Sequence, residues 1–483
     1  MPLHANKTIM TTVKKLFSVA IVSVLFLVLS CHGGQTSDKG SKVDSVKAPP
    51  PPGCNLDTPI IYSPNIPHDV NVTLQAGYNG LTPTIQPCFD LFSWRSFIAL
   101  NWPANSAGAP LSGNFTDYAD SERVWEYYKD PGEVFQTGEH LLAFSGPYKK
   151  EHGIKEFHMF SKSSHDIHLP DSVLQATGQP VIDKNGNFAL YEINMNPDEV
   201  NYIQSNGLNT SDGQQGKQIS FPEGVNGGAM GAIEIKTTWK VLVQGVDSFN
   251  TFYKKRAIIY VPAAQSSSGN PLYLKEWVGL VAMHIMHKTH TPIPPFWIWT
   301  TFEHIDNAPE WANRGTKATN YSFFNPACTT CPIDTAPTAP PGGLYIWNTV
   351  KPYAKKYQIN GLYGTQVVRQ YPVYGPTEAV NKQWQAKLKK DGSVFANYRL
   401  IGSQWSARTD FAKTDTLPAP DTLANTVLET YIQSGSCTMT CHKSATDAVG
   451  AKADFSFLLA LAKSNEYLEE LKKKNGIPAS KKK

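Results

Sequence analysis

Apolar and polar residues alternate along several stretches between residues 155 and 261, as they do in strands that bury one face. The pattern runs through KEFHMF, PVIDKNGNFALYEINMN, AIEIKTTWKVLV and RAIIYVP. Asn185-Gly186 predicts a tight hairpin turn in the second stretch, and a loop around Gly245 divides the last two. The chain is therefore expected to form many short strands joined by glycine- and proline-rich connections.

The densest part of the pattern is WVGLVAMHIMHKTHTPIPPFWIWTTFEHIDNAPEW, residues 277 to 311. Its apolar positions predict a buried strand, a turn at TPIPP and a partner strand, WIWTTF. On a strand, His284 and His290 point to one side and His287 to the other, whereas on a helix His284 and His287 would share a face. We favour the strand, so that at most two of these histidines reach a common pocket. The alternative is core histidines with satisfied hydrogen bonds.

The same stretch also contains side chains that could surround a substrate. Tryptophans combined with a histidine and an adjacent carboxylate form an unusual set for a purely structural core, and the carboxylate could carry a proton. The candidate pocket residues are Trp277, Trp297, Trp299, Glu303 and His304.

Helical periodicity replaces alternation near the C-terminus. LANTVLETYIQSG places Val427, Leu428, Tyr431 and Ile432 on one helical stripe, with Gly435 at its end. Asp454 is the predicted N-cap of FSFLLALAKSNEYLEELKKK, whose buried stripe comprises Phe457, Leu458, Leu461, Leu468 and Leu471. The predicted fold class is α+β: a large mainly-β body with helices over residues 54–422, then a short helical, cytochrome c-like segment over residues 423–483.

The N-terminus predicts export. Lys14 and Lys15 precede an apolar run that is shorter than the roughly 20 residues of a membrane span. VLSC resembles a bacterial lipobox, which predicts a signal peptide over residues 1–31 with lipidation at Cys31; the alternative is a secreted protein whose removed segment includes Cys31. Residues 32–53 form a polar, proline-rich tether. We expect a location in the cell envelope, at the outer membrane or periplasmic face, with membrane contact through the lipid anchor only.

Composition narrows the function classes. The 483 residues carry a formal net charge of +4, which indicates no nucleic-acid partner, and 41% of them are hydrophobic, as in a globular protein. An oxidising compartment permits disulfides, and the natural pairs are Cys54 with Cys88 and Cys328 with Cys331. The alternative for Cys328 and Cys331 is half of a metal site, but no second C-x-x-C or H-x-x-H lies close by, so a loop disulfide is favoured.

The most specific signal is SCTMTCHKSAT, residues 436 to 446. Attachment sites for c-type haem read C-x-x-C-H, and here Cys437 and Cys441 have one extra residue between them and are followed directly by His442. A bulged turn can absorb the extra residue, and a disulfide has no use for the histidine. The sequence therefore predicts covalent haem c held by the two cysteines, with His442 on the iron. The alternative is a Cys437–Cys441 disulfide in a non-haem binding lipoprotein.

These residues also carry a resemblance. The chain resembles a bacterial family of exported proteins that end in a c-type cytochrome motif, in which SC-x-x-CH is followed shortly by D-F-S-F. Ser436-Cys437, Cys441-His442 and the residues 454–457 match it, and MHIMHKT...WIWTTFEHIDN is similar to the same proteins. The resemblance implies thioether bonds at Cys437 and Cys441 and a proximal His442. It implies no particular activity.

No methionine follows His442, so the other face of the iron needs a ligand from the body or stays open. The candidates for that distal position are His284, His287 and His290. The function is then electron transfer with a redox partner protein, or haem-based redox chemistry on a small-molecule substrate.

Overall fold

The structure is a computed structural model that describes residues 54, 59–70, 72, 84–117, 121–135, 154–158, 178–225, 227–291, 296–314, 320–338, 340, 343–358, 361, 366–406, 418–435 and 441–474. Every described residue belongs to one compact unit, Pro51–Lys483. The predicted signal peptide, the tether and the residues Cys31 and Cys437 lie outside the described part. Within that part, no helix combines the length and the apolar character needed to span a bilayer.

One sheet of eight strands dominates the unit. The strands are β1 Ile154–His158, β2 Leu190–Met195, β3 Ile233–Val241, β4 Lys254–Val261, β5 Leu272–Lys288, β6 Trp297–His304, β7 Tyr398–Ser406 and β8 Pro418–Ala419. The β1–β4 pair is parallel, and the other pairs of these strands are antiparallel.

Strand β5 is the centre of the sheet, with 17 residues. Strand β3 pairs with Val278–His287 along one edge of β5. The other edge pairs first with β4 and then with β6. The strand and partner strand predicted for the histidine-rich stretch are therefore confirmed, and so are the strands predicted on either side of Gly245; the turn predicted at TPIPP lies largely outside the described residues.

Six helices occur among the described residues: α1 Gln86–Leu100, α2 Pro131–Phe135, α3 Pro197–Ser205, α4 Ser211–Gln214, α5 Gly375–Lys390 and α6 Asn465–Lys474. Short 3-10 turns lie at Val124–Tyr127, Phe249–Thr251, Ala263–Gln265, Trp311–Asn313, Lys355–Tyr357, Val394–Asn397 and Leu458–Leu461. The large, mostly antiparallel sheet and the helices that pack beside it confirm the predicted α+β class.

Helices α1 and α5 cover one face of the sheet. Trp94 of α1 stacks on Trp384 of α5 with ring centroids 5.5 Å apart, and its edge meets Phe302 of β6. Ser93 of α1 lies 2.7 Å from the hydroxyl of Thr300, so a polar contact fixes the helix position within the apolar layer. His287 belongs to this face, since it alternates with His284 along β5.

The opposite face is covered by residues 423–435 and 441–462, which we call the covering segment. Lys236, His284 and Thr301 form one row across β3, β5 and β6 on this face. The amide of Asn425 donates to Thr301 Oγ1 at 2.9 Å, and Tyr191 donates to the carbonyl of Val427 at 2.9 Å. Apolar contact comes from Met286 and Trp299 of the sheet with Ala445, Ala453, Leu458 and Leu459 of the covering segment.

The hairpin and disulfide predictions agree with the structure. The amide of Asp183 donates to the carbonyl of Asn187 at 2.8 Å, and Gly186 adopts a φ of 79°, which glycine tolerates without steric cost. Cys54 pairs with Cys88 and Cys328 pairs with Cys331, with Cα atoms 5.4 and 5.5 Å apart.

The first predicted C-terminal helix is wrong. Residues 423–435 form turns, because polar side chains bind the backbone in place of a continuous helical ladder. Asn425 Oδ1 accepts the amide N–H of Val427 at 3.0 Å, and Thr430 Oγ1 donates to the carbonyl of Thr426 at 2.6 Å. Gly435 closes a turn, since its amide donates to Ile432 at 3.0 Å.

The second predicted helix begins later than expected. Asp454 caps no helix, because its carboxylate binds the body of the protein. Ser464 is the actual cap: its Oγ accepts the amide N–H of Tyr467 at 3.2 Å, and α6 starts at Asn465. Leu458, Leu461 and Leu468 are buried as predicted, whereas Phe457 is 44% exposed.

Candidate functional site

His442 sits on the covered face of the sheet with a defined proton position. Its Nδ1 lies 2.7 Å from the backbone carbonyl of Phe455. A carbonyl only accepts hydrogen bonds, so Nδ1 carries the proton and the neutral ring keeps its lone pair on Nε2. Burial lowers the pKa of His442 to about 4, which keeps the ring neutral at physiological pH.

Two aromatic rings flank His442. Trp299 of β6 lies 6.2 Å away between centroids, and Phe457 lies 5.1 Å away in an edge-to-face arrangement. Cys441 is exposed and directly precedes His442. The imidazole therefore has an apolar side formed by Trp299, while the exposed Cys441 and Phe457 lie beside it.

A histidine–carboxylate pair lies beside this ring. Nε2 of His284 is 2.8 Å from Oε1 of Glu429, so Nε2 donates to the carboxylate. Burial alone would raise the pKa of Glu429, but the charge of His284 and the amide N–H of Asn425, 2.9 Å from Oε2, outweigh it and hold that pKa below 4.5. His284, Lys236 and Glu429 all act electrostatically on His442. Four polar groups thus meet on the covered face.

The other predicted histidines lie elsewhere. His287 is buried on the opposite face, where Nε2 donates to the carbonyl of Met230 at 2.8 Å and burial lowers its pKa to about 4. His290 lies past the end of β5 with its side chain 63% exposed and Nδ1 3.2 Å from Glu223. Of the three distal candidates, His284 is the one that the structure brings beside His442.

The five residues predicted to line a substrate pocket are not brought together. His304 donates from Nε2 to the carbonyl of Thr251 at 3.0 Å, and burial lowers its pKa to about 4. Trp277 is partly exposed under the guanidinium of Arg256. Trp297 and Trp299 are buried in the core. Alternation sends His304 to the face of β6 opposite to Trp297, Trp299 and Glu303, and Glu303 lies four residues further along the strand than Trp299.

Glu303, the fifth predicted pocket residue, is buried in an ion-pair network. It binds Arg369 and also lies 3.5 Å from Arg399. The hydroxyl and the amide of Thr426 donate to its other oxygen at 2.8 and 3.1 Å. Burial alone would raise the pKa of Glu303, but the two arginines hold it below its usual value. Glu303 therefore fastens the covering segment and carries no mobile proton.

A cavity of about 340 Å³ opens beside β7, at the lower end of the size range of small-molecule sites. None of the five predicted pocket residues lines it. Its walls include a buried arginine, two tyrosines, a strand glycine and two covering-segment residues: Arg369, Tyr371, Tyr374, Gly402, Leu423 and Gln433. The cavity therefore borders the same segment that carries His442.

Glu429, Lys236 and Asp454 were not predicted as members of the site. Glu429 lies 145 positions after His284, and nothing local in the sequence connects them. Lys236 shows only the ordinary polar alternation of its strand. Asp454 does stand out in the sequence, because it begins the D-F-S-F segment. Its position before an apolar run predicted a helix N-cap, not a contact with the sheet.

The imidazole of His442 meets the requirement for one axial ligand to a haem iron, since its Nδ1 donates to a carbonyl and its Nε2 keeps a lone pair. In the described part of the chain, no group of three or more His, Cys, Asp and Glu side chains is placed to hold a metal ion. A haem brings four of its own ligands and needs one imidazole from this motif. Donation from the other ring nitrogen to a backbone carbonyl is the usual arrangement of a metal-binding histidine. Comparison of the chain with family models, curated proteins and solved structures finds no match in any of the three.

Proposed function

We propose that this protein is an envelope-tethered haem c protein. In this proposal Cys437 and Cys441 hold the porphyrin through thioether bonds, and Nε2 of His442 binds the iron. The role of Cys437 comes from the sequence motif, because the residue lies outside the described part. The bound haem would supply reversible one-electron chemistry, used for electron transfer or for redox chemistry on a small molecule.

The proton position on His442 carries the proposal. A buried histidine used only for packing can hydrogen-bond through either nitrogen, but a haem ligand needs a free Nε2. The bond from Nδ1 to Phe455 at 2.7 Å leaves Nε2 unprotonated and holds the ring plane. The same bond raises the basicity of the ring toward a metal.

The surroundings favour a site that exchanges electrons at the protein surface. Cys441 is exposed and Phe457 is 44% exposed, so a porphyrin attached here would lie at the edge of the body. Trp299 excludes water from the inner side of the imidazole. A redox partner protein could approach such an edge directly. His284 is the distal candidate closest to this arrangement, and Glu429 orients its ring.

If the haem acts on a small molecule, the cavity beside β7 is the candidate binding site for that molecule. It is bordered by Leu423 and Gln433 of the covering segment and has two tyrosines at its wall. A substrate bound there would lie against the segment that holds His442. Export and attachment through Cys31 complete the proposal and place the protein in an oxidising compartment.

The test is expression of the full chain in a host with c-type haem attachment machinery. The mature protein should be red, give a pyridine haemochrome spectrum of haem c and gain the mass of one covalent haem. His442→Ala should abolish or shift the absorbance, and Cys441→Ala should remove a thioether. His290→Ala, at an exposed histidine bound to Glu223, is the matched control and should leave the spectrum unchanged. A colourless protein with a Cys437–Cys441 disulfide would instead identify a non-haem binding lipoprotein.

A further inference from the structure

Two consecutive residues of the covering segment adopt left-handed backbone conformations. Asp454 has a φ of 47° and Phe455 a φ of 72°. Residues with a Cβ pay roughly 1–2 kcal/mol for this region, and aspartate tolerates it better than phenylalanine. Neither position is glycine, so contacts with the rest of the protein must hold the turn in place.

The carboxylate of Asp454 supplies those contacts. Its Oδ2 accepts from the ammonium of Lys288 at the end of β5 and from the amide N–H of Phe221 at 2.7 Å. Its Oδ1 lies 3.5 Å from the indole N–H of Trp297. Lys288 is 5% exposed and Trp297 is fully buried. A buried ion pair and a backbone hydrogen bond thus clamp the turn to the sheet.

This turn determines the direction of one carbonyl group, that of Phe455. The backbone angles at Phe455 determine where its carbonyl points, and it accepts the proton of His442 Nδ1 at 2.7 Å. An unclamped turn would relax towards right-handed or extended angles, and the carbonyl would turn away. His442 would then be free to protonate either nitrogen.

We propose that Asp454 is a positioning residue that fixes the tautomer and the ring orientation of His442 through the carbonyl of Phe455. The consequence for iron binding rests on the proposed function, whereas the tautomer itself does not. The clamp, the left-handed turn and the hydrogen bond involve different atoms: the carboxylate of Asp454, the backbone of residues 454 and 455, and the carbonyl of Phe455.

The experiment compares the wild type with Asp454→Asn in two preparations of the full chain, one made with and one made without haem attachment. Two-bond ¹H–¹⁵N correlation spectra of ¹⁵N-histidine-labelled protein without haem should show His442 as the Nδ1–H tautomer; His442→Ala assigns the signal. Asp454→Asn should give a mixture of tautomers, because asparagine keeps the backbone preference but loses the Lys288 ion pair. In the haem-loaded preparation, the same variant should shift the reduction potential upwards, since a weaker bond at Nδ1 makes the ligand less electron-donating.

Two further variants separate positioning from general loss of structure. Phe455→Gly keeps the carbonyl and removes the steric cost of the turn, so it should retain the Nδ1–H tautomer. Lys288→Gln removes the other charge of the ion pair. If Asp454→Asn does not fold, Lys288→Gln takes its place and should give the same mixture of tautomers. Asp391→Asn, in the partly exposed Lys387 pair, is the control. An unchanged tautomer in both clamp variants would overturn the inference, and a wild type that never takes up haem would overturn the proposed function while leaving the tautomer result decisive.

Discussion

Nε2 of His284 lies 2.8 Å from Oε1 of Glu429, a residue that follows it by 145 positions. The first belongs to the central strand of the sheet and the second to the covering segment. The pair therefore joins the sheet to the covering segment, which also contains His442. Removing this hydrogen bond should therefore lower the free energy of unfolding of the whole unit.

Glu429→Gln should destabilise the protein by about 1–3 kcal/mol at pH 7, because hydrogen bonds to a charged partner contribute about that much. The folded-state pKa of Glu429 is depressed, so its contribution is present above pH 4.5 and disappears as the pH falls through the folded value. Urea unfolding at pH 7 and at pH 4 measures this. The stability difference between variant and wild type should shrink at pH 4; an equal difference at both values would contradict the assignment. Glu470→Gln, on the exposed side of α6, is the control.

Two buried carboxyl groups, Glu199 of α3 and Glu234 of β3, predict the opposite pH dependence. Burial and the neighbouring Glu234 raise the pKa of Glu199 well above 4.5, and burial raises that of Glu234 to about 7. Raised carboxyl pKa values mean that stability is highest below pH 4.5 and falls as the pH rises through about 7.

Glu234→Gln should therefore be more stable than the wild type at pH 8 by about 1–3 kcal/mol and nearly equal to it at pH 5. Thermal unfolding midpoints across this pH range give the measurement. Parallel curves for variant and wild type would show that the pair does not bind the expected proton.

Substitution of Glu303 should cause a large loss of folding stability that does not depend on pH near neutrality. Glu303→Gln removes the buried countercharge of Arg369 and leaves it only Glu310, at 3.6 Å; removing one partner of a buried pair typically costs about 3–5 kcal/mol. Asp391→Asn at the partly exposed Lys387 pair should change stability by less than about 1 kcal/mol. Chemical unfolding of both variants tests the contrast, and similar values for the two would argue against a buried network.

Gly213 and Gly375 should respond differently to substitution by alanine, because only Gly213 lacks space for a Cβ atom. A Cβ at Gly213 would lie 1.9 Å from the carbonyl oxygen of Gly207, and backbone cannot move away cheaply. Gly213→Ala should destabilise by about 1–3 kcal/mol, as overpacking does. At Gly375 an added Cβ meets nothing within 4 Å, so Gly375→Ala should be neutral or slightly stabilising. Melting temperatures distinguish the two, and equal shifts would contradict the close approach at Gly213.

The sequence predicts the strands well because their signals are local. Alternation in β3 to β6 and the proline-rich sequence before Trp297 predict the pairing of β5 with β6 without help from distant residues. The covering segment is harder to predict: its helical periodicity competes with Asn425 and Thr430, whose side chains bind the nearby backbone. Only the packed sheet decides that competition.

The candidate site shows the same division. His442 and its cysteines form a local motif, so the sequence identifies them directly. The partnership of His284 with Glu429 and of Lys288 with Asp454 joins residues 145 and 166 positions apart, and no spacing rule reaches that far. The arginine partners of Glu303 were not predictable either, because a carboxylate near tryptophans in the sequence can equally face two arginines in the fold.

The covering segment is also the last large piece of the unit to emerge during synthesis. Strands β2 to β7 are complete before it, and the covering segment contributes Ala445, Ala453, Leu458 and Leu459 to the apolar layer around Met286 and Trp299. A chain cut by a protease before residue 423 would lose these contacts, and the apolar side chains that it exposed would promote association between copies. The covering segment therefore also protects the sheet against aggregation.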